Sequence, residues 1–228
     1  MNFSIIFNYI PDLFQGFLLT LELTFYSLAL GLILAFLLAI LKLSSYKIIS
    51  QLAKAYIFFF RGTPILIQIY LIYYGFGQIN IQNTFLWLIV KDAYSCALIA
   101  LTLNTAAYTA EILQGAFKSV PLGEIEAGKA CGMSKLLLFR RIILPISIRY
   151  ILPAYSNEII LMLHASSLTS IITLMDLTGI ARKLASQTLL QDTFFITIAA
   201  IYLAITYSIL GIYKLLEKHL YKHLDKNQ

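Results

Sequence analysis

The sequence carries no Lys or Arg before Lys42, only two cysteines (Cys96 and Cys131), three histidines and 12% charged residues. Each shortage excludes something. Two cysteines supply neither a disulfide framework nor a metal-ligand cluster. His164, His219 and His223 are scattered, and no nucleophile and base stand together, so a membrane-enzyme reading finds no catalytic set. No phosphate loop of the form Gly-x-x-x-x-Gly-Lys-Ser/Thr occurs, so any ATP must bind elsewhere. Soluble proteins hold about 25% charged and about 45–50% apolar residues. Here apolar residues reach 60% of 228, more than a soluble fold of this size can hide. The net charge of +6 does not indicate nucleic acid, because the basic residues flank apolar runs.

What is present is a series of stretches free of Asp, Glu, Lys and Arg: Leu23–Leu41, Gly62–Val90, Ala93–Ala110, Ile159–Met175 and Thr193–Tyr213. A helix rises 1.5 Å per residue, so about 20 apolar residues cross a hydrocarbon core of about 30 Å. The pattern predicts an all-α integral membrane protein, one domain over 1–228, with five spans at about 14–42, 56–75, 92–116, 149–165 and 193–215. The second stretch is too long for one span, and is read as a helix ending near Tyr74 followed by an external loop. The segment 166–192 returns partway or lies near the outer surface, and the pattern leaves its structure open. An outside N-terminus puts 14 of the 17 Lys and Arg in the cytoplasm, which the positive-inside rule favours, with the C-terminus inside. A cleaved signal peptide does not fit, since the basic leading region is missing.

The largest cytoplasmic loop, 118–148, carries the most information. Pro121 and Gly123 open it, and Glu124, Glu126, Ala127 and Ala130 read as a short helix that Gly132 stops. A second piece over 135–143 ends at Pro145. A short helix exposed between spans needs a protein partner or it frays. Glu126-Ala127-Gly128, Gly132 and Ile142-Ile143-Leu144-Pro145 resemble, in spacing, the cytoplasmic signature of permease subunits of ATP-binding cassette (ABC) importers. The departure is Gly128 where the signature has a second Ala, a substitution costing about 1 kcal/mol of helix propensity.

The segments Arg61–Gln68, Ala107–Ile112 and Pro153–His164 resemble the polar amino-acid branch of that family, most of all the second permease subunit of arginine and histidine/lysine/arginine/ornithine importers. The resemblance implies a type I ABC importer permease fold in a bacterial cytoplasmic (inner) membrane, with a coupling helix formed by Glu124, Glu126, Ala127, Gly128 and Gly132. It further implies separate ATPase subunits binding ATP and Mg, a second permease chain (paralogue or identical copy), and a periplasmic or lipid-anchored solute-binding protein. The chain itself needs no cofactor or metal. The implied function is import of a basic amino acid, arginine first and histidine, lysine or ornithine after it. The alternative is a polar uncharged amino acid. An ion-coupled transporter using Glu158 and Glu111 as relays fits poorly, since such folds show repeats and more helices.

Glu158 carries the greatest weight. A carboxylate at a helix centre costs about 2.5–3.5 kcal/mol on insertion scales, so it faces protein or a water-filled cavity. It pairs either with a passing cationic substrate or with a cation of a neighbouring subunit. Asn157 and His164 share a helix face; Asn157 is a candidate to bind substrate and His164 to bridge neighbours. Asn104, Tyr108 and Glu111 form one polar stripe, for which packing and pathway lining are both open. Glu111 is expected to pair structurally with Arg61. Pro64, in the first turns of the second span with Thr63 as its cap, is expected to place a pathway-facing Gln68. The terminal lysines of 214–226 hold the last span's end and touch anionic lipid.

Overall fold

The computed structural model describes residues 3–75 and 92–221, and no strand occurs among them. A 3-10 turn, Phe3–Tyr9, leads into α1, Ile10–Lys42. Then come α2, Lys47–Gly62, and α3, Ile65–Tyr70, which continues as a π-helical turn Leu71–Gly75. Helix α4, Ala93–Lys118, starts where the Asp92 carboxylate accepts the Ser95 N–H at 2.7 Å. The loop beyond Gly75, with Gly77, Gln78, Asn80, Gln82 and Asn83, lies outside the described residues, as do Lys91, Lys222 and Lys226.

Helices α1, α4 and the α2–α3 pair are long or apolar enough to cross a membrane, but α2–α3 qualifies only as a pair, bent by 104°. The span expected over 56–75 is thus broken near Pro64, and it counts as one span only if the bent pair is taken together. The cause is local. Pro64 lacks an N–H and pushes Thr63 to an extended backbone (ψ 142°), so α2 stops at Gly62 and α3 starts afresh after Pro64. Thr63 does not cap α3; its hydroxyl donates back to Phe59 O at 2.9 Å.

The amphipathic loop begins with α5, Leu122–Ala130, followed by α6, Lys135–Leu138, a π-helical turn Phe139–Ile143, and α7, Leu144–Ser166. Helix α6 does not end at Pro145, as the sequence suggested. Proline sits in the first turn of α7, where a missing N–H is tolerated, and the π turn before it absorbs the change in hydrogen bonding. Beyond α7 the expected partial return is a 3-10 turn, Ser167–Ile172, then α8, Leu177–Thr188, bent by 49° from the rod before it. Asp176 caps α8 by accepting the Gly179 N–H at 2.9 Å. Helix α9, Gln191–Tyr221, closes the described chain and stays largely exposed, as a lipid-facing helix does. By length and composition there are three candidate spans among the described residues, or up to five if each bent pair counts as one.

Small residues let the helices approach. Without water between them, membrane helices associate through such close packing and through polar contacts. Ala35, Ala39, Ala106, Ala107 and Ala110 form one buried cluster between α1 and α4. A Cβ on Gly31 would fall 2.3 Å from Thr105 Cγ2, so a larger residue there must displace Thr105. Gly16 likewise lies against the backbone of α8, where the Leu177 N–H donates to Thr20 Oγ1 at 3.1 Å.

Candidate functional site

The break between α2 and α3 leaves carbonyls without helical partners, and unpaired backbone groups are costly away from water. Gln68 and Asn104 satisfy them. The Gln68 amide donates to Phe60 O at 2.9 Å, to Thr63 O at 3.0 Å and to Thr63 Oγ1 at 2.8 Å. Asn104 Nδ2 donates to Gln68 Oε1 at 3.0 Å and to Phe60 O at 3.3 Å. Gln68, expected to face the pathway, is buried here with its amide bound to the broken helix end, and it is not among the residues lining the cavity beside it.

A cavity of about 470 Å³ opens beside this break. Arg61, Gly62, Thr63, Pro64 and Ile65 give one wall; Asn104 and Tyr108 of α4 and Glu158, Leu161, Met162 and Ala165 of α7 give the others. Glu158 is 5% exposed, and its Oε1 accepts the Thr105 hydroxyl at 2.8 Å. A buried carboxylate must be hydrogen-bonded or paired. Thr105 meets part of that need, and Arg61 is the full cation on the same cavity lining. Asn157 is exposed and does not line the cavity, because it lies about 100° around α7 from Glu158. His164 meets Thr206 of α9 at 3.3 Å, a contact within the chain.

Below this cavity, toward the ends of α1 and α2, Glu111 joins two cations. Lys42 Nζ bonds its Oε1, and Arg61 Nη1 lies 3.9 Å from Oε2. The Arg61 guanidinium sits 5.3 Å from the Tyr108 ring centroid, and the Tyr108 hydroxyl donates to Arg61 O at 3.4 Å. The expected Arg61–Glu111 pair is present, but Lys42, read from sequence only as a topology signal, holds Glu111 more closely. A second cavity of about 370 Å³ is lined here by Lys42, Lys54, Ile57, Phe58, Arg61, Gly62, Tyr108 and Glu111. Among the described residues no His, Cys, Asp or Glu group could hold a metal ion.

The short exposed helix α5 presents Glu124, Glu126 and Ala127 outward and buries Gly128. Gly132 ends it with φ +73°, its N–H bonding Lys129 O at 2.9 Å while the Met133 N–H bonds Gly128 O at 3.1 Å. That paired return is the usual glycine-terminated helix stop. At Gly128 a Cβ would lie 2.5 Å from Leu138 Cδ1 and 2.7 Å from Ile142 Cδ1. The glycine is thus a packing choice, not merely a propensity loss: it lets α5 sit directly on the rod that leads into α7.

Sequence reasoning missed Thr105, Lys42 and the apolar lining Leu161, Met162 and Ala165. The burial requirement of Glu158 was the only signal for a donor such as Thr105. Nothing local marked which donor.

Residues 27–222 match the family described as binding-protein-dependent transport system inner membrane component. The octopine transport system permease protein OccM of Rhizobium radiobacter is 48% identical over 217 residues, covering 95% of this chain and 89% of that protein. The nopaline transport system permease protein NocM of Agrobacterium fabrum is 42% identical, covering 98% and 94%. The histidine/lysine/arginine/ornithine permease HisM of Escherichia coli K12 is 41% identical, covering 92% and 90%. In structure, the chain superposes on an amino acid ABC transporter crystallised with histidines at TM-score 0.87 and 35% identity, covering 96% and 99%. It shares its fold with the inward-facing MetNI methionine ABC transporter at TM-score 0.78 and 19% identity, covering 93% and 98%.

Proposed function

The chain belongs to the binding-protein-dependent transport system inner membrane component family, as a multi-pass permease of an amino-acid ABC importer, and from that premise we propose that it carries basic amino acids, arginine first. One observation carries the substrate class. Glu158 is buried, holds one hydrogen bond to Thr105, and lines a cavity whose one other full charge, Arg61, is held by Glu111 and the Tyr108 ring. Among the described residues no cation forms a close ion pair with this carboxylate, and a guanidinium or ammonium on the substrate supplies one. A relative named for histidine, lysine, arginine and ornithine transport supports the same class.

The remaining parts of the mechanism follow from that reading. Five spans, each bent pair counted as one, run with the N-terminus outside and the C-terminus in the cytoplasm. A second permease chain completes the cavity wall that one chain leaves open. Two ATPase subunits dock on 124–132 of this chain and the matching loop of the partner, and a soluble binding protein delivers substrate outside. ATP binding and hydrolysis in those subunits shift the permease pair between outward- and inward-open populations. This chain performs no catalysis.

A second reading has an observation of its own: the relatives at 48% identity are octopine permeases, so octopine is the competing substrate. Labelled arginine uptake separates the two, in cells lacking basic amino-acid importers and expressing this chain with its neighbouring ATPase, permease and binding-protein genes. Uptake that requires this chain and is blocked best by arginine, lysine, ornithine or histidine supports the basic amino-acid reading. Strongest competition by octopine favours the second reading, and competition by glutamine alone removes the argument from Glu158.

A further inference from the structure

Arg61, Gly62 and Tyr108 belong to both cavities, the one that holds Glu158 and the one that holds Glu111. The two spaces therefore meet at these three residues. Arg61 is the only full charge among them. It occupies the last turn of α2, one residue before the helix stops and three residues before the chain turns by 104°. Its guanidinium is held on two sides, by the Tyr108 ring at 5.3 Å and by Glu111 Oε2 at 3.9 Å, yet the side chain is 44% exposed. These are weak, separable contacts of a residue that can change position, not those of a locked core cation.

The inner cavity is lined by Lys42, Lys54 and Arg61 against one carboxylate, Glu111. A cation resting on Glu158 thus meets net positive charge at this end. From this the geometry points to a role that goes beyond holding α2 in place: Arg61 is a positioning residue that closes the inner end of the Glu158 cavity, and its release from Glu111 and Tyr108 joins the two cavities into one path to the cytoplasm. The inference rests on the transport reading and on its orientation. In the closed position Arg61 holds a cationic substrate back on Glu158 and keeps cytoplasmic cations from entering. Once the guanidinium swings aside, Glu111 is the next anion the substrate reaches. The space beside Gly62 is open, since a Cβ there would meet nothing within 4 Å.

The test reads access to the cavity without requiring transport. The full importer complex is placed in inside-out vesicles with a cysteine-free partner permease, Cys131→Ser, and Leu161→Cys as a reporter on the cavity wall. Cys96 stays, being buried at 1% exposure. Cationic and anionic membrane-impermeant methanethiosulfonates are added from the cytoplasmic side without ATP. Arg61→Ala is expected to raise modification of the reporter about tenfold, the population change for losing one part-exposed ion pair and one cation–π contact. The cationic reagent should gain more than the anionic one, which a loosened helix alone would not produce. Arg61→Lys should restore the charge preference and part of the protection. Should Arg61→Ala fail to assemble, Tyr108→Leu and Glu111→Gln release the same guanidinium and should each raise the rate. Unchanged rates in assembled complexes, or equal gains for both reagents, overturn the proposal. Faster modification in a complex that takes up no arginine overturns the substrate reading and leaves the partition standing; unchanged modification with arginine uptake intact overturns the partition alone.

Discussion

Replacing Glu158 by Gln removes one charge and little else. Thr105 Oγ1 donates to Glu158 Oε1 at 2.8 Å, and a glutamine carbonyl accepts the same bond at the same place. The side-chain volume is kept and the residue stays buried, so assembly with the partner subunits should survive. What disappears is attraction for a cationic substrate. Two charges about 4 Å apart interact by about 4 kcal/mol at an effective dielectric constant of about 20. Arg61 on the same cavity and the desolvation of the substrate offset part of that. A net loss of about 2–3 kcal/mol is left, which is about a 30- to 150-fold rise in the half-saturating arginine concentration. Equilibrium binding of labelled arginine to purified, assembled complex measures it directly. Glu158→Asp keeps the charge on a shorter arm and should fall between the two. Thr105→Val leaves the charge but removes its hydrogen bond, for about 1 kcal/mol or about fivefold. Arginine binding unchanged by Glu158→Gln, in complex shown to be assembled, refutes the pairing of substrate with this carboxylate.

Three further outcomes are expected. Gln68→Leu strips the donor from Thr63 O, while Phe60 O keeps Asn104, at about 1–3 kcal/mol, and should lower the thermal unfolding midpoint of the complex; no change would mean that water takes its place. Gly31→Val places a methyl-bearing carbon where Thr105 Cγ2 now lies 2.3 Å from an ideal Cβ, so overpacking by about 1–3 kcal/mol should displace Thr105 and weaken arginine binding from outside the cavity. Unaltered binding in that variant would show that Thr105 does not position Glu158. Arg61→Glu combined with Glu111→Arg should recover only part of the thermal stability of the complex lost in each single variant, because Lys42 then faces a cation; adding Lys42→Glu should complete that recovery, and failure of the triple variant would remove the ion-pair account.

In the short helix α5, a sequence rule and the packing assign different reasons to one residue. On helix propensity, Gly128 in place of Ala costs about 1 kcal/mol. In the fold it is the one buried position of α5, pressed against Leu138 and Ile142. The polar stripe on α4 divided in the same way. Asn104 faces the α2–α3 break, Tyr108 lies under Arg61, and Glu111 gathers Lys42 and Arg61, so one helical face serves three different neighbours.

By itself the sequence determined the features set by local physics. Runs without charge had to become helices facing lipid, because backbone groups in hydrocarbon must bond within their own segment. Pro64 marked a helix start, Gly132 a helix stop, and Glu158 a place where protein or water must surround a carboxylate. The pairings were decided only by tertiary structure, because they join residues far apart in the chain. Thr105 reaches Glu158 across 53 positions, and Lys42 reaches Glu111 across 69. The same holds for the rotation of each helix about its axis, which sent Gln68 into the break and left Asn157 on the outer face of α7. A helical period tells which residues share a face. Which face meets which neighbour is fixed only when the small residues of α1 and α4, Gly31 and Ala106 among them, let the helices close on one another.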